Sequence, residues 1–79
     1  MDYNCWINKA IKKTSELTTG REFLLKDLFD GVEWNAIPKG NRMGFGRVFK
    51  NEVLEGNIPN IIYIGKEKNN SAKYRKEEQ

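Results

Sequence analysis

Hydrophobic residues recur at three- and four-residue spacing near the start of the chain. Tyr3, Ile7, Ala10, Ile11 and Leu17, with Thr14, fall on one face, and Lys9, Lys12, Lys13 and Glu16 on the other. That period predicts a helix over residues 2–18. Asp2 is placed to cap it and Thr18-Thr19-Gly20 to end it. Trp6 sits at the edge of the apolar stripe and is assigned to the core. The run Glu22-Phe23-Leu24-Leu25 is too short to show a period, so it reads as a brief strand or as an extended lead into the next helix. A short helix is expected over residues 26–30, stopped at Gly31, with one or two further turns over residues 32–37. Leu25, Leu28, Phe29 and Trp34 are its core candidates.

The segment from Ile37 to Gly56 is the most informative. Pro38-Lys39-Gly40-Asn41 opens a helical pattern, expected over residues 41–55, and Glu55-Gly56 closes it. At about 100° per residue, Phe45, Val48, Phe49 and Val53 share one face and Met43, Arg47, Lys50 and Asn51 the opposite one. Gly44 and Gly46 each cost such a helix roughly 1 kcal/mol relative to alanine. They read as sites of close approach or as a frayed first turn. Asn57-Ile58-Pro59-Asn60 is a turn signal. The β-branched run 61–66 predicts a strand, residues 67–71 a polar loop, residues 72–76 a returning strand, and residues 77–79 a loose end.

Charge sharpens this outline. The net charge is only +3, but it is unevenly spread. Residues 22–33 hold Glu22, Asp27, Asp30 and Glu33 against Lys26. Between residues 39 and 50 there are Lys39, Arg42, Arg47 and Lys50 with no acid. Residues 66–76 hold Lys66, Lys68, Lys73, Arg75 and Lys76 against Glu67. Two basic segments separated by the Pro59 turn suit a local footprint for a polyanion. The chain has one cysteine and no histidine, which excludes an internal disulfide, His-dependent acid–base chemistry and the usual zinc sites. No phosphate-binding loop or metal cluster is present, so no cofactor and no enzymatic activity are expected; Gly44-Phe45-Gly46 falls inside a helical pattern and lacks the flanks of a nucleotide fingerprint. Cys5 reads as a small core hydrophobe. The longest apolar runs are a few residues, which predicts a soluble, cytoplasmic protein of one domain with no membrane partner.

Three helices, a short first strand and a C-terminal hairpin predict an α+β fold of the winged helix-turn-helix kind. In that reading Lys39, Lys66, Lys68, Lys73 and Lys76 neutralise phosphates, Arg42 near the helix start does the same, and Arg47 and Asn51 reach base edges. Met43 suits a thymine methyl. Each has an alternative: Arg42 or Arg47 pairing with Asp30 or Glu33, and Tyr74 serving as a strand-pairing aromatic or a platform for an unpaired base.

The residues Phe23-Leu24-Leu25-Lys26-Asp27-Leu28-Phe29, Glu33-Trp34, Pro38-Lys39-Gly40-Asn41-Arg42, Gly46-Arg47-Val48-Phe49-Lys50 and Tyr74-Arg75-Lys76 also carry a resemblance. The chain resembles small winged-helix proteins of plasmids, phages and chromosomal cassettes in low-GC Gram-positive bacteria, over roughly residues 22–76. The resemblance implies non-catalytic DNA binding by an accessory factor in replication or transfer of a mobile element, with a relaxase or helicase of that element as partner. It carries Arg42, Arg47 and Lys50 over as recognition-helix contacts, and Lys66, Lys68, Lys73 and Arg75 as wing contacts. Met43-Gly44-Phe45 departs from the family in being less apolar and more flexible. Duplex recognition is the first expectation, because few aromatics look exposed. Single-strand binding and a protein adaptor working through the acidic 22–33 segment are the others, and self-association on DNA is compatible with so small a reader.

Overall fold

Asp2 starts the first helix by accepting hydrogen bonds at Oδ1 from the backbone N–H of Asn4 (3.0 Å) and Cys5 (3.3 Å), satisfying two of the donors that a helix start leaves open. The computed structural model describes residues 2–67 and 71–78. Helix α1 runs Tyr3–Ser15 and buries Ile7, Ala10 and Thr14. It is shorter than the predicted 2–18, with Glu16 and Leu17 closing in single turns on the Lys13 and Thr14 carbonyls. Cys5 is exposed, against the expectation of a core position, because it lies off the stripe set by Ile7 and Ala10.

Strand β1 (Glu22–Leu24) settles the first ambiguity in favour of a strand. A 3₁₀ turn, Leu25–Leu28, follows it, and helix α2 covers Gly31–Asn35. Here the sequence expectation is corrected: residues 26–30 form no α-helix, and Gly31 begins a helix instead of ending one. The cause is local. Asp30 accepts from the Glu33 N–H at 2.7 Å and Glu33 accepts in return from the Asp30 N–H at 3.4 Å, a reciprocal cap that fixes the start at Gly31. The Asp27 carboxylate meanwhile accepts from the Leu24 N–H at 2.9 Å and folds the preceding turn back on itself.

Helix α3 runs Lys39–Leu54, two residues ahead of its predicted start, with Pro38 at the cap and its carbonyl accepting from the Arg42 N–H at 2.9 Å. Gly56, at φ +79°, follows the end, a backbone conformation that favours glycine. Strands β2 (Ile61–Lys66) and β3 (Ala72–Lys76) complete an antiparallel sheet in the order β1-β3-β2. Glu77, expected from the sequence to belong to a loose end, donates its N–H to the Asn60 carbonyl at 2.7 Å.

The core lies between the helices and one face of this sheet. Phe45 and Phe49 are wholly buried on α3, and Tyr74 stands on the central strand with its ring edge-on to Phe49, centroids 5.0 Å apart. Phe29 joins Trp6 (5.3 Å) to Phe45 (5.9 Å), so aromatic contacts run from α1 to the sheet. Tyr74 is therefore a core residue and no platform for a base. The described residues form an α+β fold of three α-helices and a small three-stranded antiparallel sheet. No helix among the described residues is long and apolar enough to cross a membrane.

Candidate nucleic-acid interface

Burial of Phe45, Phe49 and Val53 fixes how α3 is rolled, and the roll turns its polar residues outward. Met43, Arg47, Asn51 and Leu54 form an exposed strip along the helix, with Met43 60 % and Leu54 61 % exposed. Beside the strip, Arg42, Gly46 and Lys50 face a groove of about 540 Å³ between α3, the 3₁₀ turn and the β2–β3 hairpin. Its floor is apolar, made of buried Leu25 and Tyr74 with half-buried Trp34 and Ala72. Lys26, Arg42, Arg47, Lys50 and Lys66 surround it. No acid lines it among the described residues.

Like charges converge here without partners. Among the described residues Lys26, Lys39, Arg42, Arg47 and Lys66 make no side-chain hydrogen bond or ion pair. The pairings of Arg42 or Arg47 with Asp30 or Glu33 do not form; Asp30 caps α2, and Glu33 also lies 3.5 Å from the Lys13 ammonium. The Arg42 Nε is buried with no hydrogen-bond partner, a donor that water or a ligand must meet to avoid a cost of about 1–3 kcal/mol. Lys50 lies 4.5 Å over the Tyr63 ring, which holds its charge against the hairpin.

Lys66 reaches this groove through a break in the ladder. Tyr63 pairs with Tyr74, but the next partners are Gly65 with Lys73 and Lys66 with Ala72, leaving Ile64 as an extra residue. Strict alternation from Tyr63 would send Lys66 to the outer face of the sheet. The bulge returns it to the face shared with Ala72 and Tyr74, and Gly65 accommodates the bend at φ +130°. The isolated Gly65 is the sequence signal of that bulge, and the β-branched pattern around it masks the signal.

The remaining cations expected at the site lie elsewhere. Lys73 and Arg75 are on the outer face. Lys73 sits 3.2 Å from Glu22 and 3.3 Å from Glu67, and hydrogen bonding to Glu22 first, then Glu67, holds its ammonium above the ordinary lysine range. Arg75 pairs with Glu77 at 2.7 Å. Lys76 turns inward and donates to the Thr14 carbonyl at 2.9 Å, tying the sheet to the end of α1. Lys39 is exposed at the start of α3 and Asn51 on its strip, both outside the groove. Lys68 lies outside the described residues. Lys26 and Trp34, which sequence reasoning does not place among the contacts, border the groove instead. The four acids of 22–33 are all engaged, Glu22 with Lys73, Asp27 and Asp30 as caps, Glu33 as cap and ion partner. No group of acids, cysteine or histidine suited to a metal ion occurs among the described residues.

The fold and surface thus define a small α+β protein carrying a cationic groove beside an exposed helical strip. The chain belongs to a family described as a domain of unknown function (DUF1413), which matches residues 8–76. No curated protein and no solved structure matches it.

Proposed function

We propose that this protein is a winged-helix DNA-binding accessory protein of a mobile genetic element, acting in plasmid replication or transfer without catalysis. The observation that carries the reading is the set of cations without acidic partners on α3, the 3₁₀ turn and the hairpin, gathered around one groove that no acid lines among the described residues. Charges of one sign that no internal partner neutralises raise the energy of the free protein, and a polyanion relieves them. Helices α2 and α3, joined by residues 36–38 and followed by the β2–β3 hairpin, suit a helix-turn-helix with a wing. In the duplex mode the strip of Met43, Arg47 and Asn51 enters the major groove, where arginine pairs with guanine and asparagine with adenine. Lys39 and Lys66 meet backbone phosphates on either side. The concave, apolar-floored flank of α3 favours a second mode, in which single-stranded DNA follows the groove.

Fluorescence anisotropy across a salt series, on a duplex from the element's non-coding regions, a shuffled duplex and a single strand, tests the reading. Selective binding of the native duplex supports readout through Arg47 and Asn51, and preference for the single strand supports the second mode. Absence of binding to all three at low salt overturns the proposal.

A further inference from the structure

We propose that the groove between α3, the 3₁₀ turn and the hairpin is a subsite for one unpaired nucleotide of the bound DNA. This inference rests on the DNA-binding reading above and assigns the part of the surface that helix-in-groove docking leaves unused. A paired base is read at its edge from outside the helix. It has no reason to meet a concavity with an apolar floor.

Size, polarity and an open space on the helix converge on that ligand. At about 540 Å³ the groove is far larger than a lone phosphate needs and falls within the range of roughly 300–1,000 Å³ of ordinary small-molecule sites, which leaves room for a single nucleotide. Its two zones match the two halves of a nucleotide. The floor around Trp34 suits a flat, weakly hydrated base, and the surrounding Arg42, Lys50 and Lys66 suit its phosphates. Arg42 lines the groove and its buried Nε has no partner within the protein, so a turn of the guanidinium toward a phosphate gives that donor a charge-assisted bond. Gly46 leaves the helix wall open: a Cβ there would meet no atom within 4 Å. A glycine in mid-helix without a packing reason is costly, and room for a ligand against the backbone explains it.

The test compares two probes that differ in one nucleotide: a fully paired duplex, and the same duplex with one extra unpaired thymidine. Wild-type protein is expected to bind the bulged duplex about tenfold more tightly, the gain that one added stacking contact gives. Gly46→Leu fills the groove and keeps every charge. It is expected to lose the preference, with its affinities for the paired and the bulged probe equal to one another. Equal affinity of the wild type for the two probes, or a preference that survives Gly46→Leu, overturns the subsite while leaving DNA binding intact. Failure to bind either probe overturns the DNA-binding reading itself. A second measurement needs no variant: on adding the bulged duplex, the indole N–H resonance of Trp34 is expected to shift and that of Trp6, packed between Phe29 and Phe45, to stay. A Trp34 resonance that stays put overturns the subsite.

Discussion

Lys66 stands opposite Ala72 in the β2–β3 ladder, and that pairing puts its ammonium at the groove instead of on the outer face of the sheet. The pairing exists only because Ile64 is bulged out and Gly65 takes a positive φ.

Gly65→Val is therefore expected to act on binding at a distance from the groove. A β-branched residue at that φ costs about 1–3 kcal/mol, so the hairpin either strains or slips out of its bulge. Thermal unfolding should report the loss. Salt-dependent DNA binding should fall with a slope smaller by about one, matching Lys66→Gln, which removes the same contact directly. Wild-type DNA binding by Gly65→Val would show that the bulge has no part in placing Lys66.

The cations of β3 separate into two structural roles. Lys76→Met removes the bond to the Thr14 carbonyl and is expected to cost about 1–2 kcal/mol in chemical denaturation, with DNA affinity unchanged. Lys73→Gln should cost little stability, since its pairs with Glu22 and Glu67 are solvent-exposed and screened.

Gly44 and Gly46 are two residues apart on α3 and predict opposite outcomes. Gly46 faces open space, so Gly46→Ala should stabilise the protein by about 0.5–1 kcal/mol. A Cβ on Gly44 would collide with the phenol end of Tyr3 on α1, so Gly44→Ala should lose that gain or destabilise. Adding Tyr3→Leu should restore it. A double-mutant cycle read by urea denaturation checks the coupling, and additive effects would count against the contact.

Burial pushes the Tyr74 hydroxyl well above the ordinary tyrosine value of 10.0. In the unfolded chain Tyr74 releases its proton near pH 10, whereas in the folded chain it stays neutral to higher pH. The folded state then binds more protons, and stability falls as pH rises above about 10. Tyr74→Phe should move the midpoint of alkaline unfolding, followed by circular dichroism, to higher pH. An unmoved midpoint would assign the alkaline transition to other groups.

Strong periodicity made α1, α3 and the hairpin legible in the sequence, and the phase of Phe45, Phe49 and Val53 gave the buried face of α3. Cap chemistry was legible but outweighed: Gly31 reads as a stop signal, while Asp30 and Glu33 at a spacing of three mark a start. The candidate site divided for a different reason. Lys66, Lys73, Arg75 and Lys76 look alike in sequence, and only the register decides which meet acids, which meets a carbonyl and which is left free. Trp34 was assigned to the core by its hydrophobicity, and its place at the groove depends on how the hairpin packs beside α3.

The most direct test of the central claim compares two pairs of charge removals on one duplex, with log Kd measured against log salt concentration. Arg47→Gln with Lys66→Gln removes two unpaired cations of the α3–hairpin face, and Lys73→Gln with Arg75→Gln removes two that are ion-paired on the outer face. The first pair should lower the slope by about one, through the lost Lys66 phosphate contact, and weaken binding further through the lost Arg47 base contact; the second should leave both as in the wild type. Equal losses from the two pairs, or wild-type binding with the first, would contradict the assignment of the α3–hairpin face as the DNA-binding surface.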